Sequence, residues 1–343
     1  MIDPPLRLRL DGDALVANWR WLARMSGAAA CGAAVKADGY GLVARAVFDR
    51  LVKAGCRDFF VATWAEAQSL GELPHDVSLS VLHGVRDEDM AFALAAQARP
   101  TLNTVEQVAR WKAAGGGACD VMIDTGMNRL GLSAADVASG LLDELKIETL
   151  MSHLACADEN VAQNAAQQKA FLALRCVTSA KRMSLANSAG ICLGSDYAFD
   201  LTRPGLALYG GTPRGEAAGH ISQVAYPEAQ ILQCRRISAG DSVGYNATFT
   251  ATQDMELAIL NLGYADGYLR GFSGKGSAGE GRFPVVGRVS MDLIAVCVDA
   301  QPSLGEGDWL TLDYDLPSAA AISGLSQYEL LTGLGDRFTR YWT

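Results

Sequence analysis

The sequence lacks any run of about 18 to 20 uninterrupted apolar residues, the length that a membrane-spanning helix needs. Its N-terminus also lacks the apolar segment of a secretory signal peptide, because Arg7, Arg9, Asp11 and Asp13 interrupt the run. We therefore expect a cytoplasmic protein with no membrane-spanning segment.

Clustered metal- or disulfide-forming residues are also missing. The eight cysteines are dispersed without a C-x-x-C spacing, and no two of the four histidines lie four residues apart. Scattered cysteines in a long acidic chain are typical of a reduced intracellular protein. We expect neither a disulfide framework nor a metal site.

Positive charge is scarce as well. The 29 Lys and Arg residues against 38 Asp and Glu residues give a formal net charge of −9. An acidic surface argues against nucleic acid or an anionic membrane as the main partner. The length of 343 residues suits one large domain followed by a smaller one.

The first two thirds of the chain alternate short β-type runs with longer amphipathic stretches. The candidate strands are Leu6–Leu10, Gly32–Ala37, Asp58–Ala62, Val77–Leu82, Arg99–Leu102, Cys119–Asp124, Ile147–Leu154 and Arg182–Ala186. Helical patterns cover Asp13–Met25, Val43–Ala54, Thr63–Leu70, Thr104–Ala114 and Asn160–Thr178. About eight strand–helix units in about 200 residues predict an α/β fold, a closed (β/α)8 barrel of the TIM type rather than an open sheet.

The pattern changes near residue 210. Residues 210–220, GGTPRGEAAGH, have the composition of a linker. Short β-type runs broken by glycines follow, at Glu228–Ile237, Thr248–Thr252, Glu256–Leu262, Phe283–Ser290 and Leu293–Val298. We predict a barrel over residues 1–215 and a mainly-β domain over residues 216–343.

A lysine in the segment AAVKADGYG ends the second candidate strand. Barrel active sites lie at the carboxyl ends of the strands, and a partly desolvated lysine amine there can form a Schiff base. A lone Lys36 is more often a surface residue. Tyr40 and the two glycines favour a site, because the glycines let the backbone turn tightly next to a ligand.

Seven further motifs follow in order: IDTGMNRLG, SHLACADE, SLANSAG, RPGLALYG, VGYNATF, GYADGY and GRVSMD. Together with AVKADGYG they are spread over most of the length of the chain, and they resemble the motifs of the alanine racemase family. The resemblance implies a barrel that binds pyridoxal phosphate (PLP), followed by a β domain. It also implies a cytoplasmic isomerase that interconverts L- and D-alanine and supplies D-alanine for peptidoglycan.

The resemblance implies two catalytic bases. Lys36 resembles the lysine that holds PLP, and Tyr245 in VGYNATF resembles the second base, which the partner subunit supplies in this family. Racemisation removes a proton from one face of the α-carbon and returns it to the other, which two flanking bases can do. A homodimer with shared active sites is therefore implied. Without the resemblance, Tyr245 reads as a strand tyrosine with a buried ring.

His153 and Arg203 match family residues that form a polar chain from the tyrosine to the cofactor ring. Arg203 resembles the arginine that faces the pyridine nitrogen. Because arginine stays protonated, it would keep that nitrogen unprotonated and make the ring a weaker electron sink. His153 taken alone is typical of a core histidine.

Other motif residues resemble the phosphate-binding and substrate-binding groups of the family. The implied cofactor contacts, beyond those above, are Tyr40, Asn187, Ser188, Gly205, Leu206 and Tyr328. The implied substrate contacts are Arg129 and the backbone of Met291 for the carboxylate, and Tyr264 at the narrow entrance. Ser188 by itself could equally be a helix cap.

One position departs from the family pattern. Some members carry a carbamylated lysine just before IDTGMNR, and its charge positions the carboxylate-binding arginine. Met122 occupies that position here, so another group must hold Arg129. Asn128, a bound anion and another carboxylate are the alternatives.

Three other functions compete with an alanine racemase. A serine racemase of the same fold should show a more polar group in place of Tyr264 or Tyr328 at the entrance. A broad-specificity periplasmic racemase should carry a signal peptide, which we do not expect here. A barrel-type decarboxylase of basic amino acids would not need Tyr245 on the opposite face. A non-catalytic PLP carrier could keep Lys36 and lose the rest.

Overall fold

The computed structural model describes residues 4–343 and divides them into two compact units. The first, which we call the barrel unit, comprises Val16–Leu208 and Thr212–Ser222. The second, the β unit, contains the described chain up to Leu15, Tyr209–Gly211 and Gln223–Thr343.

The barrel unit has eight parallel strand positions, the first of which is divided into Ala30–Cys31 and Ala33–Ala34. Seven make one parallel sheet in chain order: Ala33–Ala34, Asp58–Val61, Ser78–Val81, Arg99–Leu102, Cys119–Met122, Ile147–Met151 and Arg182–Ser184. The eighth strand, Leu201–Thr202, pairs in parallel with Ala30–Cys31, which leads into Ala33–Ala34. The backbone N–H of Arg203 donates to the carbonyl of Ala186 at 2.8 Å and joins the eighth strand to the seventh. The predicted α/β barrel is confirmed.

The strand Leu6–Leu10 does not belong to this barrel, although the sequence pattern placed it there. It pairs with Ala225–Ile237 and with Thr339–Trp342 in the β unit. Its sequence, LRLRL, alternates buried leucines with half-buried arginines. That period of two marks a sheet with one buried face, whereas barrel strands are covered on both faces. The prediction that it is a barrel strand is wrong, and the real eighth strand was missed.

Helices connect the barrel strands, as the sequence predicted, with ends shifted by a few residues. Those of the first 222 residues are Gly12–Met25, Ala44–Ala54, Trp64–Leu70, Met90–Ala95, Val105–Ala113, Ala134–Ala138, Ala162–Leu172 and Ser188–Cys192. The segment Lys36–Tyr40 has helix-like hydrogen bonds, but its backbone angles are those of a left-handed turn. The helices that begin at Trp64 and Val105 are capped by threonines. The side-chain oxygens of Thr63 and Thr104 each accept the backbone N–H of the residue three positions later, at 3.2 Å. No helix of residues 4–343 is long and apolar enough to cross a membrane.

The β unit is built on one large, mostly antiparallel sheet. Its strands are Ser277–Ala278, Phe283–Val286, Ile294–Cys297, Met255–Leu260, Ala225–Ile237, Leu6–Leu10, Thr339–Trp342 and Trp309–Thr311. Ser242–Val243 and Phe249–Thr250 form a separate hairpin, and the helices Leu316–Ser323 and Gln327–Thr332 follow near the C-terminus. The predicted mainly-β second domain is confirmed.

A salt bridge joins the first residues of the second and seventh strands of the barrel unit. The Arg182 guanidinium donates to both carboxylate oxygens of buried Asp58, at 2.7 and 3.1 Å, and the Ser78 hydroxyl adds a bond of 2.7 Å. Burial alone would raise the pKa of Asp58, but the hydrogen bonds from Arg182 and Ser78 and the charge of Arg182 together lower it below its ordinary value. Asp58 is therefore ionised at neutral pH and bound in the folded state.

We expect Asp58→Asn to lower the free energy of unfolding at pH 7 by about 2–3 kcal/mol, since it removes a hydrogen-bonded charge. Because folding lowers the pKa of Asp58, its ionised carboxylate stabilises the folded state above the unfolded pKa, about 3.9. This stabilisation is lost as the pH falls through the pKa of the folded state. Urea unfolding should therefore show a smaller difference in unfolding free energy between wild type and Asp58→Asn near pH 3 than at pH 7. Glu148→Gln, which breaks the exposed pair with Lys181, is the control and should cost under about 1 kcal/mol. Equal losses in the two variants would contradict the prediction.

Candidate active site

Lys36 begins a left-handed turn at the carboxyl end of the first barrel strand. The four residues after it, 37–40, have φ angles between 51° and 64°, and three of them are not glycine. Non-glycine residues adopt this region only when their surroundings impose it, often at functional sites. The backbone N–H of Ala37 donates to the carboxylate of Glu66 at 2.9 Å, which fixes the turn at its first peptide.

The surroundings of Lys36 disfavour its charged form. Burial is the main cause of a lowered pKa, and the positive charge of Arg129 lowers the pKa of Lys36 further. The negative charge of Glu66 acts in the opposite direction. A lysine of lowered pKa supplies the neutral amine that a nucleophile or a base needs.

A cradle of hydroxyl and backbone N–H groups lies beside the lysine turn. The Ser188 hydroxyl accepts from the backbone N–H groups of Gly205 and Ala207, at 3.0 and 3.2 Å. A Cβ atom on Gly205 would lie 2.2 Å from the hydroxyl oxygen of Tyr40, so only glycine fits there. Leu206 is buried in the same segment. The hydroxyls of Ser188 and Tyr40 thus lie against a closely approaching backbone segment, and such a combination of groups suits a phosphate.

Asn187 has a structural role that the sequence motif did not reveal. Its side chain accepts the backbone N–H of Gly190 at 2.8 Å and caps the helix Ser188–Cys192. Asn187, not Ser188, is therefore the helix cap. This leaves the Ser188 hydroxyl facing the segment after Arg203.

Arg203 carries a positive charge inside the barrel unit. Its side chain is buried and donates to the Ser184 hydroxyl at 2.5 Å and to the Ser152 carbonyl at 2.6 Å. Burial lowers the pKa of Arg203 to about 10, which leaves the guanidinium protonated at neutral pH. The negative charge of Asp120 acts in the opposite direction and favours the protonated guanidinium.

His153 follows the strand Ile147–Met151 and is neutral. Burial, then the positive charges of Arg203, Arg129 and Lys36, lower the pKa of His153 to about 3. It can therefore donate or accept a hydrogen bond at neutral pH without adding charge. The buried amide of Gln167 holds its loop, donating to the His153 carbonyl at 3.0 Å.

Arg129 lies on an exposed loop that a carboxylate organises. One oxygen of Asp124 accepts the backbone N–H groups of residues 126, 127 and 128, at 2.8, 2.9 and 3.1 Å. Arg129 itself is exposed, and its charge reaches both Lys36 and His153. Met122 is buried and contributes packing. Asp124 thus fixes the backbone that leads into Arg129, a role for which the sequence offered no specific signal.

The β unit brings the GYADGY and GRVSMD segments together. The N–H of Tyr264 donates to the Ser290 carbonyl, and that of Ala265 to the Met291 carbonyl, both at 3.0 Å. A Cβ atom on Gly263 would lie 2.2 Å from the Met291 carbonyl oxygen, so this pairing requires glycine. Tyr264 and Met291 therefore lie on adjacent loops.

Tyr245 and Tyr328 also belong to the β unit, and both are exposed. Tyr245 opens a short turn, Tyr245–Ala247, and 65% of its surface is accessible. A buried strand tyrosine, the reading without the family resemblance, is wrong. Tyr328 lies in the helix Gln327–Thr332 and is 45% exposed. The barrel unit thus contains the predicted lysine, histidine and arginines and the predicted phosphate contacts other than Tyr328. The β unit contains Tyr328, the predicted tyrosine base and the entrance residues.

Both parts of the chain match family models. Residues 10–213 match the model described as alanine racemase, N-terminal domain, and residues 224–342 match alanine racemase, C-terminal domain. An alanine racemase from Acidiphilium cryptum is 40% identical, covering 97% of this chain and 97% of its own length. One from Dinoroseobacter shibae is 41% identical, covering 98% of this chain and 97% of its own length.

The fold also matches solved structures. The crystal structure of alanine racemase from Bartonella henselae with covalently bound pyridoxal phosphate has a TM-score of 0.91 to this chain. The two share 35% sequence identity, and the match covers 98% of this chain and 99% of that one.

Proposed function

Since this chain belongs to the alanine racemase family, we propose that it is an isomerase that interconverts L-alanine and D-alanine with PLP as its cofactor. Relatives about 40% identical over nearly their full length are named alanine racemases. The alternative of a serine or broad-specificity racemase is not favoured by these relatives.

The residues of the barrel unit fit PLP. The cradle of Ser188, Gly205, Leu206 and Tyr40 offers the donors that a phosphate needs, and Lys36 offers an amine of lowered pKa for the covalent link. When bound, PLP supplies a conjugated ring that stabilises negative charge at the substrate α-carbon. We assign Asn187 to holding the Ser188 helix and Tyr328 to the phosphate end of the cofactor.

The observation that carries the proposal is the buried, protonated Arg203. A guanidinium facing the ring nitrogen would keep that nitrogen unprotonated, where a carboxylate would favour its protonation. The result is a weak electron sink, which suits a reaction that only removes and returns one proton. Ser184 and the Ser152 carbonyl hold the guanidinium in place.

Two bases move the proton. We assign the Lys36 amine to one face of the α-carbon and the hydroxyl of the partner subunit's Tyr245 to the other. A free tyrosine has a pKa of about 10, so Tyr245 needs neighbours that favour its phenolate. We assign this role to the cations Arg203 and Arg129 and to the neutral His153, whose pKa the charges of both arginines lower.

The substrate is held at its carboxylate and limited in size. Arg129 supplies the cation, and the backbone N–H of the partner subunit's Met291 supplies a further donor. Tyr264 narrows the entrance, on a loop that Gly263 fixes against Met291. We assign Tyr264 and Tyr328 to restricting the substrate to a methyl side chain.

We propose a homodimer in which the β domain, predicted over residues 216–343, completes the partner subunit's site. Exposed Tyr245, Met291 and Leu293 support this, because a group of exposed apolar side chains is typical of an interaction surface. A groove of about 490 Å³, lined by Val243, Arg288 and Leu293 among others, adjoins them.

We further propose that the enzyme acts in the cytoplasm and supplies D-alanine for peptidoglycan. The eight cysteines are free thiols, which suits a reducing compartment. The acidic net charge of −9 gives no reason to expect nucleic acid or an anionic membrane as a partner.

The function is tested by following optical activity with L-alanine and L-serine side by side, while absorbance reports bound PLP. We expect alanine to be racemised much faster than serine, and the cofactor band to vanish in Lys36→Ala. PLP binding without racemisation of either substrate would overturn the assignment in favour of a decarboxylase or a carrier. Equal rates on both would favour a broad-specificity racemase.

A further inference from the structure

We infer that Glu66 is a positioning residue for the cofactor lysine. Its carboxylate holds the backbone beside Lys36 in the left-handed turn, and its negative charge acts on the amine. This inference rests on the proposed function, in which Lys36 carries PLP.

The carboxylate of Glu66 links the loops after two neighbouring barrel strands. One oxygen accepts the N–H of Ala37 at 2.9 Å, in the loop after Ala33–Ala34. The other accepts the N–H groups of Ala62 and Thr63, at 2.6 and 3.2 Å, in the loop after Asp58–Val61. Three N–H donors on two oxygens fix the carboxylate rigidly.

The turn needs such an anchor because its conformation is unfavourable. Ala37 and Asp38 adopt the left-handed region, which L-residues avoid. The far end of the turn is held by the Asp38 carboxylate, which accepts the N–H of Ala44 at 2.8 Å. Glu66 holds the near end, at the peptide directly after Lys36, and so sets where the amine lies.

Glu66 also balances the positive charge around the amine. The charged and titratable groups that act on or near Lys36 are Arg129, Arg203, neutral His153 and Glu66. Arg129 lowers the pKa of Lys36 and Glu66 raises it. Loss of the Glu66 charge therefore shifts deprotonation of Lys36 to lower pH.

The test compares Glu66→Gln, Glu66→Ala and Thr63→Ala in the full-length chain freed of PLP. Attachment joins the neutral Lys36 amine to the aldehyde carbon of added PLP and releases one water, so its rate follows the deprotonated fraction. The absorbance of bound PLP gives the rate of attachment at each pH and the affinity of the chain for PLP. Thr63→Ala is the matched control, because Thr63 caps the same helix without contacting Ala37 through its side chain.

We expect both Glu66 variants to attach PLP with a pH midpoint below that of the wild type, because both lose the negative charge. Glu66→Ala should also bind PLP about tenfold more weakly, since a charge-assisted hydrogen bond is lost. Thr63→Ala should keep the wild-type midpoint. Wild-type midpoints in both Glu66 variants, or the same changes in Thr63→Ala, would overturn the inference. Failure of the wild-type chain to attach PLP at Lys36 would instead overturn the proposed function.

Discussion

Replacing Tyr245 with phenylalanine should lower alanine racemisation by about 10²–10⁴-fold, the usual cost of losing a group that transfers a proton. PLP should remain bound, because its implied contacts lie at Lys36 and in the cradle around Ser188 and Gly205. Tyr245 is exposed, so loss of its hydroxyl leaves no buried group unpaired in the subunit. The measurements are the turnover rate in both directions and the absorbance of bound PLP.

Tyr226→Phe is the matched control for this variant. Tyr226 is also in the β unit, and its hydroxyl donates to the Gln223 carbonyl at 3.3 Å. Its loss should leave the rate within about twofold of wild type, as for a surface substitution remote from the chemistry. An activity loss under twofold in Tyr245→Phe would refute the assignment of Tyr245 as the second base.

Co-expression of Lys36→Ala chains with Tyr245→Phe chains should restore activity that neither variant has alone. In a two-fold symmetric dimer with shared sites, a mixed pair has one doubly altered site and one intact site. Random pairing then gives about a quarter of wild-type activity. The restored sites should show wild-type affinity for alanine.

Purified mixed dimers, carrying two different tags, make this test direct. Each variant paired with itself is the control and should stay near its own low rate. A mixed dimer as inactive as its parents would show that Lys36 and Tyr245 of one chain serve the same site. The proposed contribution of the β domain to the partner subunit would then be wrong.

The strand pattern in the sequence predicted the class of fold correctly, but it did not always predict the sheet to which a strand belongs. Strands such as Arg99–Leu102 emerge with the predicted bounds. Leu6–Leu10 was assigned to the wrong sheet because its partners lie more than two hundred residues away. Leu201–Thr202 was missed because two residues carry no periodicity.

The site shows a similar division. Lys36, His153 and Arg203 could be found because they follow short apolar strands and lie in recognisable motifs. Glu66 could not, since Thr63 and Glu66 form an ordinary capping box in sequence, and the contact with Ala37 arises only when two barrel loops meet. Gln167 and Asp124 were missed for the same reason, because they bind backbone groups of loops whose paths no local pattern specifies.

The strand Leu6–Leu10 has a consequence for the order of assembly in the cell. A nascent chain emerges from its N-terminus, at roughly 5–20 residues per second. The whole of Val16–Leu208 is therefore synthesised before either neighbour of this strand, Ala225–Ile237 or Thr339–Trp342, exists. This strand is synthesised before the barrel unit but pairs after it, and the wait lasts tens of seconds. Arg7 and Arg9 keep its outer side charged, which protects an unpaired strand from aggregation during that wait.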